Sequence, residues 1–188
     1  PGKHPYGPLA PNGVGNATTA PATIRAWWGK QPQCNIGIAC GASGLVVVDV
    51  DVSNGKAGME SWQALLAEHG GGLAQTPTVQ TPTGGLHMYY RANGRPVGNS
   101  AGKLAPGIDV RADGGYILLP PSRTDAGGYA ALDDWGRTPG PLPVPLVRLL
   151  LADPVERSTD GEPSGDNGNG RPADRWAAAA LDAELETL

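Results

Sequence analysis

The chain has 188 residues, of which 39% are hydrophobic, and it carries a formal net charge of −4. This length and composition predict one folded domain with its own core, with or without a short appendage. No window is long and apolar enough to span a membrane, and the first residues lack the basic start and apolar core of a secretory signal. We therefore expect a cytoplasmic protein with no membrane partner.

Two cysteines, Cys34 and Cys40, are present. A disulfide framework or a self-contained zinc site needs more thiols or other ligands than these two supply. A strand between them would also separate them by about 20 Å, which is beyond disulfide reach. No zinc is expected.

The charge is divided unevenly along the chain. Residues 152–188 carry nine acidic residues and three arginines, whereas residues 1–151 carry 11 basic and nine acidic residues. The larger part is therefore slightly basic. This permits a polyanionic partner without requiring one.

Residues 1–20 are rich in Gly, Pro and Asn and predict an irregular surface segment, in which Lys3 is treated as an ordinary exposed lysine. Helices are predicted over residues 21–28, 59–69 and 142–151, from their prolines at the start or their apolar stripes. In the first helix the apolar face consists of Ile24, Trp27 and Trp28. Tryptophans at this spacing are typical of a core, so no ligand is assigned to them.

A β-branched run at residues 46–48 predicts a buried strand that continues into Asp49 and Asp51. Residues 35–40 predict an earlier strand, and the short GASG turn between the two predicts a hairpin. Because side chains alternate along a strand, both carboxylates lie on one face. Two buried carboxylates repel unless a cation neutralises them, which indicates a divalent metal. The alternative is a strand end whose acids emerge into solvent.

The segment TPTVQTPTGGLHMYYR predicts a strand over residues 79–81, a tight turn over 82–85 and a second strand over 86–91. Alternation separates the apolar side chains of the second strand from His87, which is expected on the exposed face of the sheet. The Thr and Gly backbone of the turn can cradle phosphate oxygens. A purely structural histidine is the alternative.

The segment GIDVRADGGYILLPPS predicts another hairpin, with strands over residues 108–112 and 116–119. Asp109 and Arg111 share one face of the first strand. Arg111 either binds phosphate or pairs with Asp109, and the sequence leaves this open.

Further basic and hydroxyl side chains stand on predicted loops. Residues 94–106 predict a polar loop that contains Lys103. Ser122 and Arg123 follow two prolines on a constrained loop that can approach a ligand.

The organisation of the chain follows from a change of composition after the last predicted core helix. Residues 1–151 are expected to form the main domain. Residues 152–172 are acidic and rich in Gly and Asn, which predicts a flexible linker. Residues 173–188 are Ala-rich and predict the first helix of a C-terminal helical region.

Three motifs carry a resemblance when taken together: a hydrophobic strand into Asp-x-Asp, then Gly-Gly-x-His in a strand, then Gly-Ile-Asp-Val-Arg. The chain resembles the archaeo-eukaryotic primase superfamily, in particular the bifunctional primase-polymerase domain of plasmid and phage replication proteins. The resemblance covers roughly residues 3–129 and includes NIGIACG before the first motif and GGYILLPPSR after the third.

The resemblance implies an α+β fold, with a primase-like catalytic core that has an RNA-recognition-motif-related mixed sheet, and a small α/β subdomain. It implies a catalytic set of Asp49, Asp51, Asp109 and His87. The three aspartates of this set are the implied ligands of two Mg²⁺ or Mn²⁺ ions. It further implies a nucleotide-binding set that holds the triphosphate or the template. That set consists of His87, Thr83, Gly84, Gly85, Lys103, Arg111, Ser122 and Arg123.

The implied activity is DNA-dependent nucleotidyl transfer by a DNA primase and polymerase. Its partners are a single-stranded DNA template, a primer, NTP or dNTP, and a helicase C-terminal to this chain, in phage or plasmid replication within a bacterial cell. Two alternatives remain open. A nucleotide-sugar glycosyltransferase also uses a metal-binding Asp-x-Asp, and a non-catalytic nucleic-acid-binding module uses a similar sheet. Neither the preference between NTP and dNTP nor priming without a primer follows from the sequence.

Overall fold

The computed structural model describes residues 2–132 and 135–151. Within these residues the chain forms ten β-strands and three α-helices. The strands are β1 (Gly37–Ala39), β2 (Leu45–Val50), β3 (Thr78–Gln80), β4 (Leu86–Arg91), β5 (Ser100–Ala105), β6 (Ile108–Arg111), β7 (Tyr116–Leu118), β8 (Arg123–Thr124), β9 (Gly127–Gly128) and β10 (Ala130–Ala131). The helices are α1 (Pro21–Lys30), α2 (Gly58–His69) and α3 (Val144–Leu151). The predicted α+β class is confirmed.

Six strands form the main sheet in the order β10-β3-β4-β2-β6-β5. Each pair of neighbouring strands in it is antiparallel. The valines of β2 are fully buried, as expected of an interior strand whose two faces are both covered. The expectation of a mixed sheet is therefore wrong for the described strands. A relation to the RNA-recognition motif stays a prediction.

Both predicted hairpins are wrong, because β1 and β7 pair with each other in a separate two-stranded ribbon. The amide of Cys40 donates to the carbonyl of Gly115, and the amide of Gly41 donates to the carbonyl of Ala112. These bonds join the end of β1 to the segment between β6 and β7. Pairing with each other also lets the ribbon cover one face of the sheet with its apolar side chains.

The predicted polar loop over residues 94–106 contains strand β5, which forms an edge of the main sheet beside β6. Its pairing is irregular, with a shift of register between Ser100 and Ala105. Leu104 is its one buried side chain within the described residues. An edge strand that buries so little carries almost no apolar alternation, so its sequence reads as a loop.

Helix α1 begins at the predicted proline, yet none of its residues is buried. The prediction that Ile24, Trp27 and Trp28 belong to the core is therefore wrong: Ile24 is 36% exposed and both tryptophans are half-buried. In contrast, α2 buries Trp62 and Leu65 and contacts β2, β5 and β6. Helix α3 buries Leu146, Val147 and Leu150.

The face of β2 that carries Asp49 is partly covered by a second layer. A cluster of buried residues packs there between the sheet, the ribbon and the segment after β9. It consists of Cys40, Val47, Val79, Tyr89, Ile117, Leu118 and Tyr129. The polar side chains of this face therefore stand beside an apolar cluster instead of on an open sheet surface.

Pro1–Leu150 forms one compact unit. The predicted linker over residues 152–172 and the predicted helix over 173–188 lie outside the described residues, and the small α/β subdomain stays a prediction. In the part of the chain that the structure describes, no helix is long and apolar enough to cross a membrane.

Candidate active site

Asp49, His87 and Asp109 stand side by side on three neighbouring strands of the main sheet. Asp49 on β2 is the direct partner of His87 on β4 and of Asp109 on β6. Directly opposed residues of antiparallel strands point to the same face. His87 and Asp109 follow Asp49 in the chain by 38 and 60 residues, respectively. The pairing of the strands brings all three into one row.

The turn before β4 fits against the end of β2 because it contains two glycines. Gly84 has a φ of +90°, and a Cβ on Gly85 would lie 2.3 Å from the carbonyl oxygen of Val50. The amide of Thr81 donates to the carbonyl of Gly85, and the amide of Gly84 donates to that of Thr81. The Thr83–Gly85 turn thus packs directly against the backbone that leads from Asp49 to Asp51.

Asp49 is largely buried, with a side chain that is 19% exposed. Burial raises its pKa to about 6, and the neighbouring charge of Asp109 acts in the same direction. The charge of Arg111 opposes this shift without cancelling it. The site therefore holds a carboxylate whose negative charge is incompletely compensated by the protein.

Arg111 lies between the two carboxylates of the row. Its Nη2 donates to Oδ2 of Asp109 at 3.0 Å, and its Nε lies 4.0 Å from Oδ2 of Asp49. The other oxygen of Asp109 accepts a hydrogen bond from the amide of Gly102 on β5. Of the two roles that the sequence left open for Arg111, the structure shows the pairing with Asp109.

Asp51 lies just past the end of β2 and is held by other groups. Its Oδ2 accepts a hydrogen bond from Nζ of Lys56 at 2.7 Å, and its Oδ1 accepts one from the amide of Ser53 at 2.9 Å. Although burial acts in the opposite direction, these bonds lower the pKa of Asp51 to about 2. Among the described residues, no three His, Cys, Asp or Glu side chains are grouped closely enough to hold a metal ion. As placed, Asp51 would have to exchange Lys56 for a metal to join Asp49 and Asp109.

His87 is buried, and the expectation that it lies on the exposed face of the sheet is wrong. It is 5% exposed, and its ring lies 5.6 Å from that of Tyr129, which comes from the segment after β9. Its Nε2 lies 3.5 Å from Oδ1 of Asp49. Burial, with smaller contributions from Lys3 and Arg111, lowers the pKa of His87 to about 4. The imidazole is therefore neutral at pH 7.

Arg123 is connected to the N-terminal segment through Asn35, and Ser122 contacts the neighbouring Ile36. The Asn35 side chain donates to the carbonyls of Gly2 and Arg123 and accepts from the amide of Arg123. The Ser122 hydroxyl is buried and hydrogen-bonded to the backbone of Ile36, so the structure gives it a structural role. Its role as a nucleotide contact stays a prediction.

These contacts bring the row of Asp49, His87 and Asp109 together with Arg111 and with the Thr83–Gly85 turn. A comparison with family models finds a match over residues 1–145 to the N-terminal domain of bifunctional DNA primase/polymerases. The chain belongs to this family. The predicted resemblance is confirmed. No curated protein matches the chain significantly.

Membership of the primase/polymerase family supports DNA primase and polymerase activity for this chain at the level of the family. It does not by itself assign roles to individual residues. Lys103 lies half-buried on β5, the edge strand next to β6, and Asp109 belongs to β6. Its contact with a nucleotide stays a prediction, as does that of Arg123.

Sequence reasoning missed three residues around the site. Lys3 was treated as an ordinary exposed lysine, yet its charge lowers the pKa of both Asp49 and His87. Asn35 connects the N-terminal segment to Arg123, and Tyr129 packs on His87. No local pattern distinguishes these residues, because each acts through contacts that are distant in sequence.

Proposed function

We propose that this chain is a DNA-dependent nucleotidyltransferase that extends a primer on a single-stranded DNA template with the help of two divalent metal ions. The observation that carries the proposal is the row of Asp49, His87 and Asp109 across three strands in a chain of the primase/polymerase family. Family membership gives no support to the alternative of a glycosyltransferase. A non-catalytic binding module would have no use for a buried, incompletely compensated carboxylate.

Asp49, Asp51 and Asp109 would hold Mg²⁺ or Mn²⁺, because carboxylate oxygens are the ligands that these hard cations prefer. The raised pKa of Asp49 fits this role, since a carboxylate that the protein compensates incompletely gains most from an added cation. When bound, two such ions supply Lewis-acid activation of the attacking 3′-hydroxyl and charge neutralisation of the leaving pyrophosphate.

The remaining residues of the site would bind and orient the triphosphate. A neutral His87 can donate a hydrogen bond to a phosphate oxygen, and the backbone amides of the Thr83–Gly85 turn can do the same. Arg111 already lies between the carboxylates, so a small movement of its side chain would let its guanidinium meet a phosphate oxygen in a bidentate manner. Lys103 and Arg123 are proposed as further contacts to triphosphate or template.

Primer extension tests the proposal directly. The wild-type chain is incubated with a labelled primer-template, dNTPs and either Mn²⁺ or Mg²⁺, beside the Asp109→Ala variant and a control, Asp113→Ala, at an exposed residue. We expect extension by the wild type and the control only, and none with a chelator. Failure of the wild type with both metals, or equal activity of Asp109→Ala, would reject the function.

His87 is expected to affect nucleotide binding more than turnover. Removing a hydrogen bond to a charged group costs about 1.5–3 kcal/mol, so His87→Ala should raise KM for dNTP by about ten- to a hundredfold. The measurement is steady-state extension at varied dNTP concentration, with His69→Ala at the end of α2 as the control. A collapse of kcat at unchanged KM would contradict this role.

A further inference from the structure

An open cavity of about 530 Å³ lies between the N-terminal segment, α1 and the β1/β7 ribbon. We name it the tryptophan groove. Its aromatic lining consists of Tyr6, Trp27, Trp28 and Tyr116. The volume is within the range of small-ligand sites, which are typically concave and lined by apolar and aromatic side chains.

Helix α1 presents these aromatics without burying them. An amphipathic surface helix normally covers its apolar stripe with the core, yet α1 has no buried residue. Trp28 is fixed by a hydrogen bond from its Nε1 to the carbonyl of Cys34 at 3.2 Å. Tyr6, which also lines the groove, is 44% exposed. Tyr6 and Trp27 therefore offer aromatic surface that nothing in the described residues covers completely.

The surroundings of the groove are basic. The first 48 residues of the chain contain no Asp or Glu, and they contain Lys3, Arg25 and Lys30. All three basic residues are exposed. Arg25 and Lys30 belong to the same helix as the tryptophans, and Lys3 lines the groove. The tryptophan groove therefore combines aromatic surface with nearby positive charge, and of the residues that the structure describes, no Asp or Glu lines it. These properties are complementary to a polyanion that carries bases.

The groove is connected to the row of Asp49, His87 and Asp109. Asn35 lines the groove and holds both Gly2 and Arg123 by hydrogen bonds. Leu118 also lines the groove and belongs to the buried cluster that packs beside His87 through Tyr129.

We propose that the tryptophan groove binds unpaired bases of a single-stranded DNA, with Trp27 and Tyr6 as stacking surfaces and with Arg25 and Lys30 facing the phosphates. Stacking of this kind tolerates every base because each base has a π-face. The proposal rests on the proposed function, since it names where that function's template strand enters. It assigns a ligand to the tryptophans, which the sequence pattern placed in the core.

The test measures binding of a fluorescein-labelled oligo(dT) to the purified chain by anisotropy, with neither nucleotide nor divalent metal present. Loss of one stacked base costs about 1–3 kcal/mol, so Trp27→Leu is expected to weaken Kd by about five- to a hundredfold. Trp27→Phe keeps an aromatic ring and should stay within about threefold of the wild type. Tyr6→Leu and Tyr6→Phe form a second pair with the same expected difference.

Salt dependence tests the role of the basic residues. Each phosphate contact on a single strand contributes about 0.7 to the slope of log Kd against log salt. The double variant Arg25→Ala with Lys30→Ala should lower that slope by about 1.4 units. Arg148→Ala on α3, away from the helix that carries the tryptophans, should leave it unchanged.

The proposal would be rejected if the Phe and Leu variants raised the Kd for oligo(dT) equally at both Trp27 and Tyr6. It would also be rejected if both Leu variants kept wild-type affinity, or if the wild type did not bind oligo(dT) at low salt. Tighter competition by a proline-rich peptide than by unlabelled oligo(dT) would also overturn it, since aromatic grooves accept such peptides. Asp49→Asn separates the two proposals, because it should lose primer extension and still bind oligo(dT) as the wild type does. Normal oligo(dT) binding without any extension by the wild type rejects the enzyme and keeps the groove.

Discussion

Asp49→Asn is expected to abolish primer extension and, at the same time, to stabilise the folded chain at pH 7. The activity should fall by about a thousandfold or more, because the variant loses a charged ligand in the row of Asp49, His87 and Asp109. Stability should rise because the wild-type carboxylate is ionised and largely buried, with its pKa raised to about 6. A bound cation would offset this cost, because a nearby opposite charge favours the ionised form of the carboxyl group.

The sign of the pH dependence follows from the direction of the shift. Asp49 has a higher pKa in the folded chain than the ordinary value of about 3.9, so the unfolded chain binds fewer protons between pH 4 and 6. The wild type therefore loses stability as pH rises through this window, and the loss is nearly complete by about pH 7. A shift of about two pKa units corresponds to about 3 kcal/mol, which is the upper bound on the gain of Asp49→Asn at pH 7.

Chemical denaturation of both chains at pH 4 and pH 7.5 measures this difference, which should be large at pH 7.5 and close to zero at pH 4. Asp125→Asn, in an exposed turn, is the matched control and should change stability by less than about 0.5 kcal/mol. Added Mn²⁺ should raise the melting temperature of the wild type more than that of Asp49→Asn. A variant that is less stable than the wild type at pH 7.5 would contradict the electrostatic argument.

Gly85→Ala is expected to destabilise the chain by about 1–3 kcal/mol and to lower extension activity with it. An added Cβ would lie 2.3 Å from the carbonyl oxygen of Val50 and 3.1 Å from Oγ1 of Thr81. The contact with Val50 is to backbone, which has no rotamer by which to escape, so β2 and the turn must separate. That movement displaces the strand end that carries Asp49 together with the turn that precedes His87.

Gly72→Ala provides the matched control, because a Cβ there meets nothing within 4 Å and its φ is not positive. Urea denaturation of the three chains should show the control within about 0.5 kcal/mol of the wild type. Extension assays well below the midpoint of Gly85→Ala then separate a displaced site from an unfolded one. If Gly85→Ala is as stable and active as the control, the turn does not depend on this close approach.

Asp49, His87 and Asp109 could be singled out from the sequence because each of them interrupts an apolar strand. A polar residue within a β-branched or alternating run has its face decided by a period of two, which is a local property. The strand bounds of β4 were predicted correctly for the same reason. The motifs that surround these residues were specific enough to predict the family, which the comparison confirms.

The pairing of the strands could not be predicted from the sequence in the same way. The short turns after β1 and β6 are compatible with hairpins, and only the buried cluster beneath the ribbon favours pairing of β1 with β7. Strand β5 was missed because an edge strand that buries little carries no pattern. Both errors concern interactions between residues far apart in sequence, whose energies no local window contains.

The sequence by itself therefore determined the fold class, the family and the side chains that stand out from the core, because local periodicity and motif spacing carry that information. Tertiary structure alone decided that His87 is buried and neutral, that Asp51 pairs with Lys56, and that Arg111 lies between the carboxylates. It also decided that Trp27 and Trp28 line a groove. These properties depend on burial and charge summed over all neighbours, and they exist only once the second layer has packed on the sheet.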